Sequence, residues 1–315
     1  MIEAIIDHFK PNKPINLKNE ILAGLTVAMT MIPESLSFAI LAGLTPLIGL
    51  YGAFIMGIVT AILGGRPGMV SGGAGATVIT LIALNLTHGT EYIFAAVALA
   101  GIFQILVGVF KLGKFVRLIP QPVMYGFLNG LAIVIFMSQL EQFKFSENGI
   151  TSWLQGTPLY TLIGLTALTI AIVYIFPKLT KVVPASLVAI MVVFAVVLGF
   201  NIDTKTVGDI AEINGSLPSF HIPTVPFTLE TLQIILPYAL IMGSVGLIET
   251  LLTLTLVDEI TNTKGQSNKE AIAQGSANIA NGFFGGMGGC AMIAQTFVNL
   301  DADANKKNKS NETKR

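Results

Sequence analysis

Two glutamates interrupt long apolar runs of this chain. Glu249 is the only charged residue in the run near 231–257, and Glu34, directly after Pro33, is the only one in the run near 21–42. A charge at the centre of a bilayer costs about 2.5–3.5 kcal/mol on insertion scales, so such residues usually face a cavity. Glu249 could accept a proton, hold a cation, or stay neutral as a structural hydrogen-bonding group. Glu34 could line the same cavity, or it could only pair with a neighbouring helix.

Thr253 follows Glu249 by one helical turn, so the two side chains share a helix face. The Thr253 hydroxyl could support a coupling ion or a water molecule, or it could bond only its own backbone. Helical spacing turns Thr250 and Thr255 towards other faces. We therefore assign ion coupling to Glu249 and Thr253.

Two glycine-rich breaks, Gly72–Thr77 and Gly289–Ile293, each precede a short apolar segment. A helix that starts at such a break presents free N–H groups and about half a positive charge at its N-terminus. Two such ends facing each other would form an anion site without a basic side chain. The alternative is a re-entrant packing feature that binds nothing. The predicted substrate contacts are Glu34, Gly73, Ala74, Gly75, Ala76, Thr77, Cys290, Ala291, Met292 and Ile293.

Other chemistry has little support in the sequence. His8, His88 and His221 are scattered among loops and tails and do not form a metal set. The single Cys290 excludes an intramolecular disulfide and a Cys-based zinc site. Because no nucleophile and base stand out as a pair, we expect no enzyme and no cofactor beyond a coupling H+ or Na+.

The composition predicts that lipid surrounds most of the chain. Of 315 residues, 53% are hydrophobic and 11% are charged, whereas an average soluble protein is about 25% charged. Eighteen basic residues balance eighteen acidic ones, so net charge does not indicate a nucleic-acid partner. We predict an all-α polytopic membrane protein in which the third and tenth spans are too short to cross alone. The predicted spans lie near 21–42, 47–64, 74–87, 92–110, 118–140, 159–176, 182–200, 231–257, 268–284 and 290–300.

Lysines and arginines in the loops predict the orientation. With the N-terminus in the cytoplasm, eleven of them lie inside and two, Lys144 and Lys205, lie outside. We therefore predict a multi-pass protein of the inner (plasma) membrane with a cytoplasmic segment at 1–20. The inside residues are Lys10, Lys13, Lys18, Arg66, Lys111, Lys114, Arg117, Lys178, Lys181, Lys264 and Lys269.

The chain repeats one order of features. Gly73 follows Glu34 by 39 residues, and Gly289 follows Glu249 by 40 residues. Each half thus contains a long helix with a carboxylate, a second helix, and a break into a half-helix. This order is typical of inverted-repeat transporters.

The second repeat is shorter than the first. We predict a membrane domain over 21–300, in which the first repeat (about 21–200) has seven spans and the second (about 231–300) has three. On this count about four spans are absent and the chain is truncated. Residues 301–315 are polar throughout and are predicted to form a disordered tail.

Three stretches resemble a known family. They are PESLSFAILAGLTPLIGLYGAFI (33–55), IPQPVMYGFLNGLAI (119–133), and 246–299 with its elements NKEAIAQGSAN and GGMGGCAMI. They are similar to the first, the fifth, and the eighth to tenth spans of the SulP family, the sulfate permease-like anion transporters. The resemblance covers essentially 1–299.

The resemblance implies the uracil permease-like fold, in which fourteen spans form two inverted repeats of seven and a core domain moves against a gate domain. Half-helices at spans 3 and 10 would face the anion. Family members are often homodimers and usually continue into a cytoplasmic STAS domain, which we do not expect here. Glu249 takes the position of the coupling carboxylate, Thr253 that of a hydroxyl in Na+-coupled bicarbonate members, and Glu34 stands where many relatives have Gln. Many relatives have Pro where this chain has Gly73 and Gly288.

These observations lead us to expect secondary active transport of a small anion such as sulfate, bicarbonate or a dicarboxylate, by proton or sodium symport. One alternative is a nucleobase permease of the same fold, which would need a carboxylate on the tenth span, where this chain has none before Asp301. Another is a truncated fragment without transport activity.

Overall fold

The computed structural model describes residues 17–113, 121–147, 150–179, 185–204 and 217–300. They form two compact units, one containing 17–113 and 217–300 and the other containing 121–147, 150–179 and 185–204. The predicted tail 301–315 and most of the predicted cytoplasmic segment 1–20 lie outside the described residues.

The described residues form helices with two short strand pairs. In chain order the elements are α1 (Leu17–Leu41), α2 (Pro46–Leu63), β1 (Ser71–Gly72), α3 (Gly75–Ile79), α4 (Ile82–His88), α5 (Thr90–Val109), α6 (Gln121–Glu141), β2 (Lys144–Glu147), β3 (Ile150–Trp153), α7 (Thr157–Leu179), α8 (Ala185–Gly199), α9 (Leu229–Thr261), α10 (Ser267–Phe283), β4 (Cys290–Ala291) and α11 (293–300). Elements α6 to α8 with β2 and β3 belong to the second unit, and the others belong to the first.

Five of the described helices are long and apolar enough to cross a membrane: α1 from Glu20 onward, α2, α5, α7 and α9. Their bounds confirm the predicted spans to within a few residues. The predicted third span consists of the two short helices α3 and α4, and the predicted tenth span contains only the eight helical residues of α11. The third element is therefore shorter than a full crossing, as the sequence predicts, whereas α11 reaches the last described residue.

The helix α10 coincides with a predicted span but is packed inside protein. It packs against α5 at positions where both helices have glycine, so that no side chain separates the two backbones. A Cβ on Gly101 would lie 2.7 Å from the Ile279 backbone nitrogen, and a Cβ on Gly275 would lie 2.8 Å from the Ile105 backbone nitrogen. Glycine therefore permits an approach of the two backbones that no other residue would allow.

The two glycine-rich breaks meet as an antiparallel strand pair in the first unit. Strand β1 pairs with β4 so that Ser71 opposes Ala291 and Gly72 opposes Cys290. The sequence predicts two breaks but not their pairing. The paired strands form hydrogen bonds with each other's backbone groups, which makes non-helical backbone tolerable inside a membrane protein.

The segment before α9 is fastened to the ends of α5 and α10. The His221 backbone nitrogen donates to the Phe283 carbonyl at 2.6 Å, and the His221 ring lies 2.9 Å from a Glu91 carboxylate oxygen. The Thr224 backbone nitrogen donates to the same carboxylate at 2.7 Å. His221 thus contacts the Glu91 carboxylate through its ring and the Phe283 carbonyl through its backbone nitrogen.

The second unit contains a hairpin and two packed apolar helices. Strands β2 and β3 pair from Lys144 with Trp153 to Glu147 with Ile150. Helices α7 and α8 border an open apolar groove of about 390 Å³. This groove is lined by Leu168, Ala171, Ile172, Ile175, Phe176, Leu179, Val188 and Val192.

Candidate functional site

Glu249 and Cys290, which the sequence places 41 residues apart, lie against each other in the first unit. Glu249 is on α9 and only 9% of its surface is exposed. The Cys290 thiol on β4 donates to Glu249 Oε2 at 3.2 Å. The mid-span carboxylate and the second glycine-rich break are therefore in direct contact.

Thr250 contacts the same strand from the next position on α9. Its hydroxyl accepts a hydrogen bond from the Ala291 backbone nitrogen at 3.1 Å, and its side chain is fully buried. Helical spacing turns Thr250 to a different face from Glu249, and the sequence analysis therefore missed it. Both faces reach β4 because the extended strand crosses α9 rather than continuing as a helix.

Thr253 lies one turn below Glu249 and is buried. Its hydroxyl donates to the Glu249 backbone carbonyl at 2.8 Å. A hydroxyl whose proton is used in this way still has lone pairs that can accept a hydrogen bond or bind a cation.

The first break is fitted around large side chains. A Cβ on Gly75 would lie 2.7 Å from the Phe38 ring, and a Cβ on Gly73 would overlap the Met287 side chain. Ala74 precedes α3, and the Thr77 hydroxyl donates back to the Ala74 carbonyl at 2.9 Å. These contacts explain why the break consists of Gly and Ala, because any larger residue would displace a neighbour.

Gly73, Gly75 and Ala76 of the first break are all buried.

The second break uses much of its backbone in protein contacts. The Met292 backbone nitrogen donates to the Val70 carbonyl at 2.9 Å, and Ala291 donates to Thr250. Ile293 is partly exposed and begins α11. Of the amide groups predicted to face an anion here, those of Ala291 and Met292 are therefore occupied by protein acceptors.

Glu34 joins the site through α11. It is partly exposed on α1 and accepts a hydrogen bond from the Gln295 side-chain nitrogen. The sequence analysis missed Gln295, although a polar amide inside a short apolar segment is a usable signal.

Two buried polar groups, one on Gln295 and one on the residue after Glu34, have no hydrogen-bond partner among the described residues. Gln295 Oε1 and the Ser35 hydroxyl are buried there without a hydrogen bond. Buried polar atoms usually have a partner from protein, water or ligand. Gln295 Oε1, whose amide contacts Glu34, is thus available to a bound molecule.

Among the residues that the structure describes, no lysine or arginine forms an ion pair with Glu34 or Glu249. The buried Arg66 is paired elsewhere, with its Nε 3.2 Å from Asp258 Oδ1 and its Nη2 donating to the Val257 carbonyl at 3.0 Å. Helix N-termini and backbone dipoles remain as the source of positive potential.

Comparison with known proteins agrees with this architecture. Residues 17–307 match the sequence model of the sulfate permease family. A putative sulfate transporter of Bacillus subtilis, YbaR, is 45% identical over 287 residues, covering 91% of this chain and 58% of that protein. The bicarbonate transporter BicA of a Picosynechococcus species is 34% identical over 311 residues, covering 91% of this chain and 54% of that protein. The chain thus spans a little over half the length of the curated relatives it matches.

Two solved structures have the same fold. The transmembrane domain of a cyanobacterial bicarbonate transporter BicA superposes with a TM-score of 0.76 at 30% identity, covering 92% of this chain and 78% of that chain. The murine Slc26a9 anion transporter in its inward-facing state has a TM-score of 0.77 at 19% identity, covering 95% and 55%. The molecule is a multi-pass membrane protein with the transporter fold of these proteins. It belongs to the sulfate permease family, which confirms the resemblance seen in the sequence.

Proposed function

We propose that this chain forms the anion-binding core of a secondary active transporter for a small anion: sulfate, bicarbonate or a short dicarboxylate. The observation that carries the proposal is the contact between Cys290 and Glu249, which joins a mid-span carboxylate to a glycine-rich break. The family and the sulfate and bicarbonate transporters among the relatives support the substrate class.

The anion binds between the starts of α3 and α11. The contacts at the start of α3 come from Gly73, Ala74, Gly75, Ala76 and Thr77. The contacts at the start of α11 come from Cys290, Ala291, Met292 and Ile293. Small residues at both breaks let a ligand approach the backbone closely. Glu34 borders this space through its contact with Gln295 on α11.

Two carboxylates beside an anion explain the need for a coupling ion. Glu34 and Glu249 would both repel a bound anion, and such repulsion is strong where water is excluded. A proton on Glu249, or Na+ held by Glu249 and the Thr253 hydroxyl, cancels one of these charges. Anion and cation then bind more tightly together than separately, which is the thermodynamic basis of symport.

The proposed setting follows from the loop charges and the family. The protein lies in the inner (plasma) membrane with a cytoplasmic N-terminus, because lysines and arginines concentrate on one side. It assembles as a homodimer.

The test uses the chain in proteoliposomes with labelled sulfate, bicarbonate or succinate inside imposed pH and Na+ gradients. Gradient-driven uptake of one anion is expected in the wild type, and Glu249→Gln should abolish it. Glu230→Gln is the matched control, since Glu230 is on the same helix but exposed. If Glu249→Gln leaves gradient-driven uptake unchanged, the coupling role of Glu249 is wrong.

A second measurement tests anion binding without transport. The thermal unfolding midpoint of the purified chain should rise with the concentration of the transported anion, because a ligand that binds only the folded state stabilises it. Chloride at equal ionic strength is the control. An equal rise with every salt would contradict a specific site.

A further inference from the structure

Three buried polar side chains form a stripe along one face of α10. Glu270, Gln274 and Asn278 follow each other at four-residue spacing within the element NKEAIAQGSAN, and their exposed fractions are 2%, 0% and 0%. Residues at this spacing share a helix face. Polar groups this deeply buried are costly unless they are hydrogen-bonded, so their partners indicate what the stripe does.

The first part of the stripe holds the chain that leads into β1. Glu270 Oε2 accepts a hydrogen bond from the Gly65 backbone nitrogen at 2.7 Å. The Gln274 side-chain nitrogen donates to Glu270 Oε1 at 3.0 Å and to the Ser71 hydroxyl at 2.6 Å. Ser71 is the first residue of β1, so α10 determines where the first break begins.

The last residue of the stripe holds the chain that leads into β4. Asn278 Oδ1 accepts from the Gly289 backbone nitrogen at 2.8 Å, and Asn278 Nδ2 donates to the Gly289 carbonyl at 3.0 Å. One side chain thus satisfies both backbone groups of the residue before Cys290.

Gln104 links Asn278 to α9 through a further pair of hydrogen bonds. Asn278 Nδ2 also donates to Gln104 Oε1 at 2.8 Å, and Gln104 Nε2 donates to the Gly243 carbonyl at 3.2 Å. Gly243 lies on the same helix as Glu249, less than two turns away. Three routes therefore connect β4 with α9: the contact of Cys290 with Glu249, the hydrogen bond from Ala291 to Thr250, and the chain of amides through Asn278 and Gln104.

We propose that Gln274 and Asn278 are positioning residues, which hold β1 and β4 in register on α10 and thereby keep the Cys290 thiol against Glu249. Neither residue contacts the thiol or the carboxylate. Both act through the strand pair, in which Gly72 opposes Cys290. The consequence for coupling rests on the proposed function, whereas the geometry can be tested without any anion.

Cys290 is the only cysteine of the chain, so alkylation by a membrane-permeant maleimide reports on it alone. The chain is placed in lipid nanodiscs without a transported anion, and the labelling rate is measured at constant pH. Because Cys290 is fully buried, the wild type should react slowly. Asn278→Leu should react about tenfold faster or more, since it leaves both Gly289 backbone groups without a partner.

Ser276→Ala is the matched control on the same helix. The Ser276 hydroxyl donates only to the Ile272 carbonyl at 2.8 Å, within its own helix. Its labelling rate should equal that of the wild type. Gln274→Met should accelerate labelling less than Asn278→Leu, because Gln274 acts on the opposing strand. Equal rates in Asn278→Leu and Ser276→Ala, in folded protein, would overturn the proposal.

Two milder variants keep the test decisive if Asn278→Leu does not fold. Asn278→Asp keeps the acceptor for the Gly289 nitrogen but removes both donated bonds, and Gln104→Met removes the link to α9 alone. Each should accelerate labelling severalfold. Wild-type rates in both variants would overturn the proposal.

The two hypotheses fail in different ways. If added sulfate, bicarbonate and succinate all leave the labelling rate of Cys290 in the wild type unchanged, the proposed anion site is contradicted. Unchanged labelling in the variants would contradict the positioning role.

Discussion

The two glycine-rich breaks occupy corresponding places in the two halves of the sequence, yet they are held by different forces. The first break is fitted mainly by packing, with Gly73 and Gly75 against Met287 and Phe38, and one hydrogen bond from Gln274 holds Ser71 at its start. The second is held by polar side chains: Thr250 binds Ala291, Asn278 binds Gly289, and Cys290 contacts Glu249. The two breaks thus differ in the chemistry that supports them.

This difference has a functional meaning under the proposed transport mechanism. A break held by steric fit tolerates loss of polar atoms but not added volume. A break held by hydrogen bonds to buried groups tolerates neither loss of a partner nor a change of charge. We therefore expect the conformation of the second break to change with protonation or ion binding at Glu249. The conformation of the first break is expected to stay fixed.

The largest effect should come from added volume in the first break. Gly75→Val would place its Cβ 2.7 Å from the Phe38 ring, and overpacking of this kind costs about 1–3 kcal/mol or more. Thermal unfolding of the purified chain should show a lower midpoint. Gly57→Val is the control, because a Cβ on Gly57 meets no atom within 4 Å.

Phe38→Ala provides the internal check on that explanation. In the double variant Gly75→Val with Phe38→Ala, the total loss of stability should be smaller than the sum of the two single losses, as for residues in direct contact. Additive losses would mean that Phe38 is not what excludes a side chain at Gly75.

The next effect should come from loss of a hydrogen bond in the second break. Thr250→Val preserves shape but leaves the Ala291 backbone nitrogen buried without an acceptor, which costs about 1–3 kcal/mol. Thr255→Val on the same helix is the control, since that hydroxyl donates only to the Leu251 carbonyl of its own helix. Equal unfolding midpoints for the two variants would remove the distinction between the breaks.

A smaller effect is expected from a change at Glu34, which accepts a hydrogen bond from Gln295. Glu34→Gln keeps a hydrogen-bonding group beside Gln295 but removes a negative charge from the proposed anion site. The affinity for sulfate or bicarbonate should rise about threefold to tenfold, as expected for removal of roughly 1 kcal/mol of repulsion. Anion titrations of both proteins at one pH measure it, and unchanged or weaker affinity would show that Glu34 does not repel the anion.

The smallest effect on stability should come from Thr253→Val. Its hydroxyl proton bonds only the helix backbone, so unfolding should change by less than about 0.5 kcal/mol. Any Na+ dependence of anion binding should nevertheless disappear. Retained Na+ dependence would exclude the Thr253 hydroxyl as a cation ligand.

Much of the helical architecture could be predicted from the sequence, because it depends on local patterns. The predicted span 231–257 lies within α9, and the predicted span 92–110 nearly coincides with α5. The two short half-helices followed from interrupted apolar runs. The strand pair β1–β4 could not be predicted, since two-residue strands have no sequence pattern and their register depends on distant partners.

The candidate site was only partly predictable for the same reason. Glu249 and Glu34 stand out because a carboxylate is conspicuous in an apolar run. Thr250 and Gln295 do not, since their roles depend on partners that are 41 and 261 residues away in the chain.

The sequence by itself determined that this chain lies in the membrane as a series of helices with two short, interrupted ones. The physical reason is that lipid requires each backbone group to be satisfied within the segment, so apolar runs must be helical. Only the tertiary structure decided which polar atoms meet. The contact of Cys290 with Glu249, the clasp of Asn278 on Gly289, and the bridge from Glu34 to Gln295 all depend on how separate helices pack. Close packing at glycines, which no local pattern specifies, sets those distances.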